Sequence, residues 1–244
     1  MALLRIEAMC CASQISVWRL ASSIERCRKT PGGNRRGDRR AAKLHTAART
    51  GLARVIGVVP GQIVTRQLTW PVTQGEGGAA SSPAGEVCKL AVIERHGRNG
   101  NVGLGLVSGL GLGAADVQRE GAAVGATVAH DSHNLVIAGT DDEAILLAAQ
   151  ALRAAGGGFV VVAGARVVAL LALPVAGLMA DRPVEEVAAG AARVNAAARE
   201  LGMPGESPLM TLSFLALPVI PELKLTDRGL VDVGLFKYVP LWLE

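Results

Sequence analysis

From about residue 52 onward, short apolar runs alternate with breaks rich in glycine and polar residues. That rhythm predicts strands joined by tight turns, with helices set among them. Residues 54–59 and 62–68 read as strands on either side of Pro60-Gly61, and 87–94 as another ending at Arg95-His96-Gly97. Between them, residues 75–85 form a Gly/Ala/Ser loop. Residues 101–112 (NVGLGLVSGLGL) carry regularly placed glycines, the mark of strand bulges or of close backbone approach. A phosphate cradle would need a glycine fingerprint opening a helix, and the ADVQREG that follows is no clear helix. Residues 125–128 and 135–139 are two further strand-like runs.

Helical signals come next. Thr140 is placed to cap a helix with Glu143 at its third position, and Asp141 and Asp142 line the positive end of the dipole. Apolar spacing runs to Leu152, and Gly156-Gly157-Gly158 stops it. A second helix opens at Arg182-Pro183, runs through Ala198 and ends at Gly202. Between the two lies GFVVVAGARVVALLALPVAGLMA (158–180), with Arg166 its single charge and a length that would cross a bilayer. The turn signal at 163–166 and the breaks at Pro174 and Gly177 favour a hairpin instead, 159–162 against 167–173, buried on both faces. Apolar residues 210–220, then a turn and strand over 225–231, complete the chain. The expected fold is α+β (mixed α/β), a largely antiparallel or mixed sheet with two main helices packed on one side.

Composition sharpens this. Half the residues are hydrophobic but only 3% are aromatic, which suits layers of small aliphatic side chains. The net charge of +4 is unevenly spread. Residues 1–50 hold 11 Lys/Arg against 3 Asp/Glu, and the remainder 14 against 18. The basic character therefore belongs to a tail expected to be disordered, apart from a possible short helix over 15–24, and the body of 51–244 is mildly acidic. A basic nucleic-acid face on the core is excluded, so no nucleic-acid partner and no membrane are expected. Cys10, Cys11 and Cys27 lie in the tail and Cys88 in the body, without a CxxC pair, which argues against a disulfide framework or zinc ribbon. With no apolar leader developing after Arg5 and Glu7, the expected location is cytoplasmic.

Candidate chemistry concentrates in His130-Asp131-Ser132-His133-Asn134, between the runs 125–128 and 135–139. Loops carry reactive side chains while flanking strands hold them. The same residue types also satisfy a turn's own backbone. His130, Asp131 and His133 are the catalytic candidates, and Ser132 and Asn134 the substrate-binding ones. Glu94 and His96, at the end of another strand, are added for acid–base or substrate contact. His130 and His133 are the candidate metal ligands, and alone they are too few for a full site.

The segments RVIGVVPGQIVTRQL (54–68), KLAVIERHGRNGNVGLGLVSGLGL (89–112), TVAHDSHNLVIAGTDDEAI (127–145), LPVAGLMAD (173–181) and PLMTLSFLALPVIPELKLTDRGLVDV (208–233) resemble the C-terminal part of bacterial adenine deaminases, of the amidohydrolase superfamily. The resemblance implies metal-dependent hydrolysis of adenine to hypoxanthine and ammonia, with Mn or Fe in the intact enzyme. Such deaminases are longer, and an N-terminal metal-binding barrel holds most of their catalytic residues. No His-x-His pair of that barrel occurs here, and residues 1–50 do not resemble it. Residues 113–125 read as longer than the family's connection. The expectation is therefore a domain inactive alone, with a barrel chain or a second copy as partner. The 130–134 loop would sit at the mouth of the purine site.

Overall fold

The computed structural model describes residue 44 and residues 47–112 and 121–244. Most of the expected 1–50 tail, with its three cysteines and its short helix, and most of the 113–125 connection lie outside the described residues; the tail's last two residues, Arg49 and Thr50, already belong to a strand. Among those described, one mixed sheet holds β1 (Arg49–Val58), β2 (Thr65–Gln74), β3 (Ala80–Ser81), β4 (Cys88–Ile93), β5 (Val102–Ser108), β6 (Ala123–Ala126), β7 (Leu135–Gly139), β8 (Gly158–Ala163) and β9 (Arg166–Ala172). Their spatial order is β3-β2-β1-β5-β4-β7-β6-β8-β9. β1 and β5 run parallel, and the other pairings are antiparallel. A smaller sheet of β10 (Leu223–Thr226), β11 (Gly229–Asp232) and β12 (Lys237–Val239) packs beside it, and the described residues also form the helices α1 (Asp142–Ala154), α2 (Val184–Glu200) and α3 (Pro208–Phe214). The α+β reading holds.

The helices do not share one side of the sheet, as the sequence reading had it. Successive residues of a strand point to opposite faces. Ala91 and Ile93 of β4, Leu135 and Ile137 of β7, and Val160 and Val162 of β8 pack against Ala144, Ile145, Ala148 and Leu152 of α1. Leu90 and Val92, Val136 and Ala138, and Val161 meet Val194 and Ala198 of α2, Leu209 and Leu212 of α3, and Leu225 and Leu230 of the small sheet. The central strands are apolar at both parities, so both faces need a cover.

Other departures have local causes. The N-cap of α1 is Asp141, whose carboxylate accepts the Ala144 N–H at 2.8 Å. The Thr140 hydroxyl instead accepts the Ala122 N–H at 3.0 Å and donates to Asp141 Oδ2 at 2.9 Å, so the cap sits one residue later than expected. The first part of the apolar 210–220 run lies in α3, with Pro208 at its first turn and Leu209 and Leu212 buried at helical spacing. The 158–172 run is the expected hairpin, but it is not buried on both faces. β8 is covered, whereas β9 is the outermost strand and leaves Val167, Val168 and Leu170 exposed. No described helix is long and apolar enough to cross a membrane.

The expected close approach at the glycine-rich strand is real. A Cβ on Gly103 of β5 would stand 1.9 Å from the Thr226 carbonyl oxygen, so the small sheet docks there on backbone alone. Two lysines lie inside. Lys89 of β4 meets Asp142 and the Leu44 carbonyl, an ion pair at the start of α1. Lys224 of β10, 0% exposed, donates to the Ile63 carbonyl at 2.9 Å, and burial lowers its pKa to about 8.

Candidate functional site

Two loops leave neighbouring strands at the same end of the sheet. β4 and β7 pair antiparallel with Ile93 opposite Leu135, so the segment after β4 and the segment before β7 emerge side by side. The first loop (94–101) is organised by Glu94, 6% exposed. Its carboxylate accepts the backbone N–H groups of His96 at 2.5 Å, Gly100 at 2.8 Å and Asn99 at 3.1 Å, together with that of Arg98. Burial alone would raise the pKa of Glu94. The four N–H groups outweigh it and hold the carboxyl below its usual range. The Glu94 N–H and the Asn101 carbonyl close the loop's base at 2.9 Å.

That loop in turn grips the second (127–134) by its main chain. His96 Nε2 lies 2.8 Å from the Ser132 carbonyl oxygen, which can only accept, so Nε2 carries the proton. Arg95 Nε donates to the His133 carbonyl at 2.5 Å, and Arg95 Nη2 to the Ala176 carbonyl at 2.7 Å. Ser213 on α3 donates to the Val128 carbonyl, and Thr127 Oγ1 donates to the Gly177 carbonyl at 2.6 Å. The second loop is thus held from the β4–β5 loop, from α3 and from the segment after β9.

Held in this way, its side chains are presented differently from one another. Asp131 and Ser132 are exposed, His130 and His133 half-buried, and Asn134 is 4% exposed. The His130 ring lies 5.2 Å from that of Phe214 at the end of α3 and 6.3 Å from that of His133. His133 adopts a positive φ of 49°, a conformation costly for a residue with a side chain and found where surrounding structure enforces it. Its Nδ1 is buried without a hydrogen-bond partner. Burial, then the positive charge of Arg95 and the flanking His130 and His96, lower its pKa, while Asp131 pulls the other way. A neutral imidazole is favoured there. Asn134 Nδ2 faces Asp227 Oδ1 at 3.4 Å, and Asp227 Oδ2 accepts Asn101 Nδ2 at 3.2 Å. With its NH₂ turned to a carboxylate, the amide must direct Oδ1 the other way, and that oxygen is also buried without a partner.

The structure therefore brings all seven sequence candidates to one end of the sheet. Sequence reading missed three contributors to the site: Asp227 reads as a turn residue, Phe214 as apolar and Ala176-Gly177 as a break, while Arg95 stands beside Glu94 and His96 at the strand end without a role of its own. Each acts across 38 to 93 residues of chain or through a ring contact, so no local signal could have marked it. Among the described residues, no three His, Cys, Asp or Glu side chains are grouped to hold a metal ion. His130 and His133 would supply two ligands, fewer than a closed site requires, and no metal-dependent step is assigned to them.

Comparison with known proteins covers most of the chain. A family profile described as the adenine deaminase C-terminal domain matches residues 62–237. The adenine deaminase of Oleidesulfovibrio alaskensis is 53% identical over 199 residues, which are 82% of this chain and 34% of that protein. Adenine deaminase 2 of Carboxydothermus hydrogenoformans is 50% identical over 200 residues, 82% of this chain and 34% of that protein. For the adenine deaminase of Desulfatibacillum aliphaticivorans the figures are 46% over 195 residues, 80% and 33%. The chain spans about a third of the length of these relatives.

Proposed function

We propose that this chain, which belongs to the adenine deaminase family through its C-terminal domain, works as one part of a composite enzyme that hydrolyses adenine to hypoxanthine and ammonia, and that it is inactive by itself. The observation that carries this reading is the match at 53% identity to a third of an adenine deaminase. The remaining two-thirds would hold the catalytic metal, Mn or Fe, which supplies the water-derived nucleophile when bound.

In this reading the 127–134 loop closes one wall of the purine pocket. His133, kept neutral by its surroundings, takes up or holds a proton at Nδ1, and His130 and Asp131 stand at the solvent side for proton transfer. Ser132 and the Asn134 carbonyl face the base, Asn134 Oδ1 accepting an N–H of it. Glu94 and His96 shape the wall from behind. Two buried polar atoms without partners, His133 Nδ1 and Asn134 Oδ1, support this, because such atoms are costly to leave unpaired and are found where a ligand or ordered water completes them. The protein would act in the cytoplasm, on a free base.

A second reading is favoured by the surface. Met179, Val184, Val219 and Phe236 are exposed by 59 to 82%. Apolar side chains left open to this degree fit a module that docks on a separately encoded barrel chain or on its own copies.

A chimera tests the first reading. Residues 62–237 would replace the matching segment of the Oleidesulfovibrio relative. Hypoxanthine release from adenine is expected from the chimera and not from the chain alone, with Mn²⁺ or Fe²⁺ added and a chelator as control. His130→Ala or Asp131→Ala in the chimera is expected to lower kcat/KM. Unchanged turnover in both would remove the loop from the site, and turnover by the chain alone would end the composite reading.

A further inference from the structure

We propose that Arg95 is the positioning residue of the histidine loop, its guanidinium joining the His133 carbonyl to the Ala176-Gly177 backbone so that the two segments present one rigid wall. This rests on the reading above, in which that loop faces the substrate. Three observations carry it. First, Arg95 is 8% exposed and its guanidinium donates to carbonyls on two different segments, 2.5 Å to His133 and 2.7 Å to Ala176. A planar fork with donors in fixed directions can do this, whereas a lysine ammonium on its flexible stem cannot reproduce both directions.

Second, the receiving backbone is shaped for that group. Gly177 has a φ of +74°, and a Cβ there would lie 2.8 to 2.9 Å from three guanidinium atoms. Ala176, beside it, also has a positive φ, of 56°. Two consecutive residues in the left-handed region turn the Ala176 carbonyl toward Arg95 and the Gly177 carbonyl toward Thr127. Third, the base of Arg95 is itself fixed. Glu94 binds the N–H groups of the residues that follow, and His96 holds the Ser132 carbonyl. The guanidinium therefore starts from a rigid loop and ends on two others, with His133 at the junction.

The consequence is that Gly177, 44 positions along the chain from His133, shares control of the imidazole through Arg95. NMR of the full chain tests it, following the ring signals of His130 and His133 and the amides of 174–179. Arg95→Lys is expected to move the His133 ring signals and the Ala176, Gly177 and Leu178 amides together, while Leu90 and Val136 amides in the central strands stay in place. Gly177→Ala is expected to reproduce the His133 change, because its new Cβ takes the guanidinium's space. Met179→Ala, an exposed change in the same segment, should leave His133 as it was. The proposal is overturned if Arg95→Lys disturbs one segment without the other, or if Gly177→Ala leaves the His133 ring signals unmoved. If one variant fails to fold, the other still decides. Failure of the reading that this loop faces substrate shows separately, as a chimera whose turnover ignores both His130→Ala and Asp131→Ala while the Arg95 signature persists.

Discussion

The two loops that meet at the end of the sheet are both rich in polar residues and differ in what they do with their polar atoms. The 94–101 loop turns its acid inward and satisfies itself, four backbone N–H groups converging on Glu94. The 127–134 loop is held mainly through its carbonyls and the Thr127 hydroxyl, and it leaves His133 Nδ1 and Asn134 Oδ1 buried and unpaired. One loop is a frame and the other is what the frame presents. A cluster of chemically capable residues does not reveal which of the two it is. A count of where each donor and acceptor goes does.

That contrast can be broken from either side. Glu94→Ala should have the largest effect, because it takes the carboxylate away from four backbone N–H groups at once. We expect a loss of about 3 kcal/mol in urea unfolding, from charge-assisted bonds worth ~1.5–3 kcal/mol each with only part recovered by water. A loss below about 1 kcal/mol would mean that the loop keeps its shape without the carboxylate. Asn134→Leu should cost far less, within about 1 kcal/mol, since it removes an unpaired acceptor along with the long contact to Asp227. A large loss there would make Asn134 part of the frame. The smallest effect is expected from pH. The His133 pKa in the folded chain lies below its unfolded value of 6.5, so the unfolded state takes up its proton first as pH falls. His133 therefore favours the folded chain above pH 6.5, and this contribution is lost as pH drops through its folded pKa. In a His133→Gln variant the urea midpoint should fall less between pH 7 and pH 5 than in the parent chain. An identical fall would show that the imidazole is not held neutral.

Much of the fold was readable because it is written in local alternation. The 158–172 hairpin, the α1 and α2 segments and the doubly apolar runs of β4 and β7 all follow from periodicity within a dozen residues. Which face each helix covers was not readable, because runs apolar at both parities carry no label for either side. The exposure of β9 escaped for a related reason, since an apolar run does not announce that it lies at a sheet edge. At the site, His130 to Asn134 stood out as a polar island between strands. Its supports did not, because Arg95, Asp227 and Gly177 gain meaning only when distant segments meet.

Lys224 offers a different use of the same interior. At mildly alkaline pH a sizeable fraction of this amine is uncharged, which makes it a stronger nucleophile than an ordinary surface lysine, yet no part of it reaches solvent. An acylating reagent can modify it only during moments when β10 parts from the Ile63 segment. The rate of its labelling would therefore time the opening of the small sheet, and the position of the modified peptide would report it without any change to the sequence.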